Sequence, residues 1–186
     1  MAGITISLSL TDTLITVRSK QIHVQLFAFH KNTALCAQWL CDKHVVKIPT
    51  EAVQILNTAL HVNGCDDTFY KPTHTRHPIV QWTADSLMNW RWARLYAYAV
   101  GGEYTNRYDK SHTSTQKLRD WRYGTAAPYE YFDDVQFTPP PRAFDYESDA
   151  DSVWLAYRDY YRDYKIDAMD VRYDRGRQAP EWLFED

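Results

Sequence analysis

A chain of 186 residues, 45% hydrophobic and 24% charged, has the make-up of one folded domain with a sizeable core. Its net charge of −3 lacks the basic excess of a dedicated nucleic-acid binder, and no apolar run nears the roughly 18 residues of a membrane span. Three cysteines, an odd number, argue against a disulfide framework and for a reducing compartment, so a cytoplasmic protein is expected.

The first fifteen residues, Met1 to Ile15, are mildly apolar but lack a basic opening and a cleavage site, so no signal peptide is expected. Residues 1–20 form an N-terminal arm or extension, and residues 21–186 form a single, mostly helical domain. Gln21 to Phe29 alternates polar and apolar residues, with Ile22, Val24, Leu26 and Ala28 on one face, which predicts a short strand. Asn32 and Thr33 are natural N-caps for a helix from about Ala34 to His61. Pro49 removes one backbone donor within it and predicts a kink or a break, and Asn63-Gly64 ends it.

A polar loop over residues 64–77 leads to Pro78, a natural first helical residue, and to a long aromatic helix reaching about Tyr104. That helix is apolar nearly all round, as expected of a central element in a bundle. Ser111 to Arg122 reads as a basic amphipathic helix, and Thr138-Pro-Pro-Pro-Arg142 as a rigid connector. Ser148 to about Asp167 is a further helix with Val153, Ala156, Tyr157 and Tyr160 as its apolar stripe, and Trp182 anchors the tail.

Charge is unevenly spread along these elements. Residues 1–126 hold 14 Lys/Arg against 9 Asp/Glu, whereas residues 127–186 hold 7 against 15. The first part suits a polyanion and the last part repels one, which favours a local site over a long electrostatic footprint.

Three constellations carry chemistry. His44 and Glu51 are seven residues apart, two helical turns, with Lys47 between them, so an imidazole, an amine and a carboxylate share one stripe. With His77, such a set can serve N-glycosidic cleavage, which needs a stabilised sugar cation or attack by an amine. The same spacing also describes a solvated amphipathic face. A second set, Cys41-x-x-His44 and His61-x-x-x-Cys65, has zinc-ligand types, but a straight helix separates its halves by about 25 Å at 1.5 Å per residue, and no metal is expected. The third is a basic-aromatic mixture in which Lys43, Arg76, His77, Arg91 and Arg94 are candidate nucleic-acid contacts near Trp90, Trp92 and Tyr96. Aliphatic stems lying over aromatic rings on solvated helix faces would give the same pattern. No glycine-rich phosphate loop or nucleophile elbow is present.

Leu40-x-Asp42-x-His44-Val45-Val46-(x)4-Glu51 resembles the catalytic helix of the pyrimidine dimer DNA glycosylases, the phage endonuclease V group. His77-Pro78-(x)3-Trp82-(x)4-Leu87-(x)2-Trp90 is similar to the run opening that family's long middle helix. Ala156-Tyr157-(x)7-Lys165 with Pro180-Glu181-Trp182 is more distantly similar to its last helix and aromatic tail. Residues 22–184 as a whole look like a group of tailed-phage proteins carrying the Cys-Asp-Lys-His-Val-Val-Lys motif.

The resemblance implies an all-α fold and a cofactor-free DNA enzyme. Glu51 would be the catalytic carboxylate, and His44 its partner at the lesion-site backbone. The family's nucleophile is an N-terminal α-amine next to the initiator Met, with arginines just before and three residues after the carboxylate. Here Ala2 follows Met1, about twenty residues precede the matching strand, and Thr50 and Gln54 stand at the arginine positions. Lys47 is therefore the candidate amine. The alternative is a DNA- or protein-binding module on the same scaffold, without catalysis.

Overall fold

Residues 25–165 and 169–184 are described by the structure, a computed structural model. The expected arm over residues 1–20, and residues 21–24 of the expected strand, lie outside them. Every regular element among the described residues is helical. Gln25 to Phe29 is not a strand: it threads the interior with all five residues buried, its two alternating faces alike. A strand with one solvated face would have left Gln25, Phe27 and Phe29 exposed.

Helix α1 (Thr33–Gln38) starts where Asn32 Oδ1 accepts the amides of Ala34 and Leu35, and α2 (Asp42–Val62) follows after a break at Trp39-Leu40-Cys41. The expected break at Pro49 does not occur, and α2 runs through it. The interruption lies upstream because distant groups satisfy the backbone there. Arg107 donates to the Gln38 and Leu40 carbonyls at 3.0 and 2.8 Å, Tyr173 Oη donates to the Trp39 carbonyl at 2.8 Å, and Tyr161 Oη accepts the Cys41 amide at 3.0 Å. In the turn before Pro49, His112 Nε2 donates to the Val46 carbonyl at 3.2 Å.

The long aromatic helix is likewise two helices, α3 (Pro78–Asp85) and α4 (Leu87–Tyr108), separated by Ser86 in an extended conformation. Helices α5 (Thr113–Asp120), α6 (Arg122–Thr125) and α7 (Val153–Tyr160) complete the set. The helix foreseen from Ser148 starts only at Val153, capped by Ser152, and the chain widens from α7 straight into a π turn over Tyr161–Lys165.

Helix α2 packs chiefly on α4, with α1 against α4 and α3 against both. Their shared core takes in Val45, Ile48, Leu56 and Leu60 from α2 and Trp90, Ala93, Tyr96 and Val100 from α4. Trp90 is fully buried and its indole donates to the Leu56 carbonyl at 3.2 Å, so a large apolar body is removed from water with its one polar atom satisfied. The Pro-rich connector is held along its length by Trp82 Nε1, which donates to the Thr138 carbonyl, and by Tyr157 Oη, which donates to the Pro141 carbonyl. Trp182 returns the tail to the core against Phe29 and Trp39, at ring distances of 5.2 and 5.9 Å. Among the described residues no helix is long and apolar enough to cross a membrane.

Candidate active site

The N-terminal half of α2 carries the candidate site. Asp42 opens the helix but is committed to structure, with Oδ1 taking a 2.9 Å hydrogen bond from Arg107 and Oδ2 accepting the Asp174 amide at 2.8 Å. From there the helical repeat places His44, Lys47 and Glu51 along one side, and because α2 is continuous through Pro49 the stripe survives.

Glu51 is 8% exposed. Its Oε1 meets Lys47 Nζ at 2.9 Å, and its Oε2 accepts the backbone amide of Gln25 at 3.1 Å. The carboxylate is thus fixed from two directions, by the next turn of its own helix and by the buried N-terminal segment. Lys47 is the exposed partner, with 64% of its side chain open to solvent. Exposed pairs of this kind contribute little to stability, so the pair positions the carboxylate more than it holds the fold.

His44 is 7% exposed and packs its ring on Phe27 at 4.7 Å. Tyr161 Oη accepts the Cys41 amide and lies 2.7 Å from His44 Nδ1. A phenol that accepts the Cys41 amide and donates to Nδ1 leaves the imidazole proton on Nε2, the tautomer assigned to His44. Burial, then the charges of Lys165, Lys47 and Lys43, lower the imidazole from 6.5 to about 3. His44 is therefore neutral at physiological pH. It can donate a hydrogen bond through Nε2 but carries no spare proton for acid catalysis and no charge for a phosphate.

The structure adds a residue that spacing did not single out. Lys165 is half-buried at the end of the π turn, one turn beyond Tyr161, with Nζ 5.3 and 5.6 Å from the Tyr160 and Tyr164 ring centroids. Burial, and next the charge of Lys47, push its ammonium below the ordinary lysine range, while Glu51 pulls the other way. Lys165 thus shares one electrostatic neighbourhood with His44, Lys47 and Glu51. Short π segments frequently mark functional sites, because they re-aim side chains off the regular repeat.

The remaining candidates are dispersed. His77 is the N-cap of α3, its Nδ1 accepting the Ile79 amide at 3.3 Å. It belongs to the segment that docks on Asn57, Thr58 and Asn63, beyond Glu51 along α2. Arg76 is exposed in the loop before it. Arg94 donates to the carbonyls of Tyr123 and Ala126 at 3.0 and 2.8 Å and lies over Trp90, so its guanidinium is occupied as a staple. Arg91, with Lys31, flanks an apolar groove lined by Met88, Trp92, Leu95 and Phe137. Lys43 is exposed one residue before His44, and with Val46, Tyr108, Asp170 and Arg172 it lines a cavity of about 530 Å³.

Cys41 Sγ lies 3.5 Å from His44 Nδ1, but His61 and Cys65 sit at the far end of the unbroken α2. Among the described residues no group of three or more His, Cys, Asp or Glu side chains could hold a metal ion.

Tyr161 and Glu103 also escaped the sequence reading. Tyr161 follows the Ala156-Tyr157-Tyr160 stripe by one residue, and nothing in that spacing links it to His44. Glu103 and Arg107 form an i, i+4 pair at 2.7 Å that could have been read as a solvated helix pair, yet both are buried. The chain matches no protein-family model, no curated protein and no solved structure.

Proposed function

We propose that the protein is a phage DNA-processing enzyme, endonuclease V-like in its chemistry, acting on the N-glycosidic bond of a damaged or modified base or on the abasic sugar left behind. The observation that carries this reading is the Glu51 carboxylate, nearly buried, held on both oxygens and flanked by Lys47 and the half-buried Lys165. A fixed carboxylate beside C1′ stabilises the positive charge that develops on the sugar as the base departs. Amines on the same face supply charge for the flanking phosphates and a nucleophile for C1′. Neutral His44, with its proton on Nε2, donates a hydrogen bond to a sugar or phosphate oxygen.

The target nucleotide must leave the stack to reach such a site. The cavity next to the stripe, lined by Lys43, Val46, Tyr108 and Arg172, is the candidate receptacle for an extruded base. The partner is accordingly DNA with a damaged or modified base, met in the cytoplasm of the host cell.

Purified protein assayed on duplexes with pyrimidine dimers, abasic sites or phage-type modified bases tests the reading. Glu51→Gln keeps an acceptor for the Gln25 amide but removes the charge, and it should lower base release or strand cleavage about 100-fold or more. Equal activity of wild type and variant would sink the enzyme assignment.

A second reading has one specific observation behind it. Both Glu51 oxygens are already bonded within the chain, as in a structural carboxylate. On that reading the protein is a DNA- or protein-binding module without catalysis. It would bind such duplexes, yet yield no product and no covalent adduct with borohydride.

A further inference from the structure

We infer, on the glycosylase and lyase reading of the Glu51 site, that Lys165 supplies the amine that condenses with the C1′ aldehyde of an abasic deoxyribose. The sequence offers Lys47 for this role, and the structure argues against it. Lys47 Nζ projects into solvent and is committed to its 2.9 Å pair with Glu51. Lys165 is placed differently in three respects. It ends the π turn that follows α7, and that turn is docked on α2 at its start, where Tyr161 Oη lies 2.7 Å from His44 Nδ1. Its Nζ lies over the Tyr160 and Tyr164 rings, 5.3 and 5.6 Å from their centroids, and the rings take water from that side of the amine. Its neighbours are a cation and a carboxylate, Lys47 and Glu51. Desolvation and the Lys47 charge favour the free base, the usual setting of an amine nucleophile, and they outweigh the opposite pull of Glu51.

The chemistry balances with these residues alone. The Lys165 Nζ lone pair attacks the C1′ aldehyde carbon, and the aldehyde oxygen leaves as water with the two amine hydrogens, giving an imine. Protonated, that imine is an electron sink. Loss of a C2′ proton to Glu51 sends the C–H electron pair into a C2′–C3′ double bond, and the 3′ phosphate departs with the C3′–O pair. Water then hydrolyses the imine and returns the amine. Tyr161 sets the geometry from the start of the same π turn, since its bond to His44 Nδ1 at 2.7 Å fixes the register of the turn against α2.

The full chain, incubated with an abasic duplex oligonucleotide and sodium borohydride, and then digested for peptide mass mapping, tests the assignment. The expected result is one reduced adduct, mapped to Lys165, with trapping lost at least 100-fold in Lys165→Met and in Lys165→Arg. The arginine variant keeps the cation over Tyr160 and Tyr164, so loss of trapping there cannot be ascribed to loss of the fold. An adduct on Lys47 or on the α-amine overturns the role of Lys165 and leaves the enzyme reading standing. Base release without any adduct does the same and points to water as the nucleophile. Neither adduct nor product from any substrate overturns both.

Discussion

An imidazole buried beneath three lysines has no reason to hold a proton, and at His44 that fact reshapes the whole stripe. The phenol of Tyr161 joins the Cys41 amide to His44 Nδ1, so one hydroxyl satisfies a helix-start donor and sets a tautomer. Replacing it exposes the cost of leaving both groups unpaired. Tyr161→Phe should destabilise the protein by about 2–3 kcal/mol, the usual penalty for stranded buried polar groups, and urea denaturation would measure it. A change below about 0.5 kcal/mol would mean that the bridge is dispensable. At this scale the sequence disclosed the residue types and their spacing on α2. It did not disclose protonation, because His44 is neutral through its burial and the charges of Lys165, Lys47 and Lys43, one of them contributed from the far end of the chain.

Helix boundaries were legible wherever a local side chain makes the cap. Asn32, Pro78, and the Asn63-Gly64 stop with Gly64 at φ 86° all stand where short-range chemistry requires them. They were not legible where the partners are remote. The break before α2 depends on Arg107, Tyr161 and Tyr173. The break at Ser86 depends on Asp134, whose carbonyl accepts the Leu87 amide at 2.9 Å, and on Asn63, which donates to the Ala84 carbonyl at 2.8 Å. Ser86 itself serves twice. Its Oγ accepts the Met88 amide at 3.2 Å and donates to the Gln136 carbonyl. Ser86→Ala removes the cap of α4 and a tie to the segment just before the Pro-rich connector, and should cost about 1–2 kcal/mol. Thermal melts should register that loss, while the helical signal by circular dichroism stays largely unchanged below the transition.

Across the molecule, a buried charge network ties the tail to the bundle. Arg107 bonds both Asp42 and Glu103, and Arg177 makes two further bonds to Glu103 at 2.8 and 2.9 Å. Burial works to raise the Glu103 carboxyl, but the hydrogen bonds and charges of Arg177 and Arg107 overcome it and hold it below its usual 4.5. His44, and His112 through its own burial, are also lowered from 6.5.

All three shifts have the same sign for stability. A depressed native pKa means that the unfolded chain takes up protons first, so the stabilisation is whole above the unfolded value and drains as pH falls. For His44 the window runs from pH 6.5 down to about 3, at up to about 1.4 kcal/mol per pH unit within it. Glu103 adds to the loss below 4.5. The melting temperature should therefore fall from pH 7 to pH 5, and His44→Gln should flatten that slope. An unchanged slope in the variant would assign the acid sensitivity elsewhere.

The sequence by itself determined the helical class, the caps, the tail anchor at Trp182 and the alignment of His44, Lys47 and Glu51. Each follows from spacing or chemistry within a few residues. Only the tertiary structure decided that Pro49 would be carried inside α2, that Arg94 would staple carbonyls, and that the charge of Lys165 would be felt at His44. Those outcomes rest on contacts between residues dozens of positions apart, and local pattern holds no record of such contacts because burial and charge proximity exist only after the chain has folded.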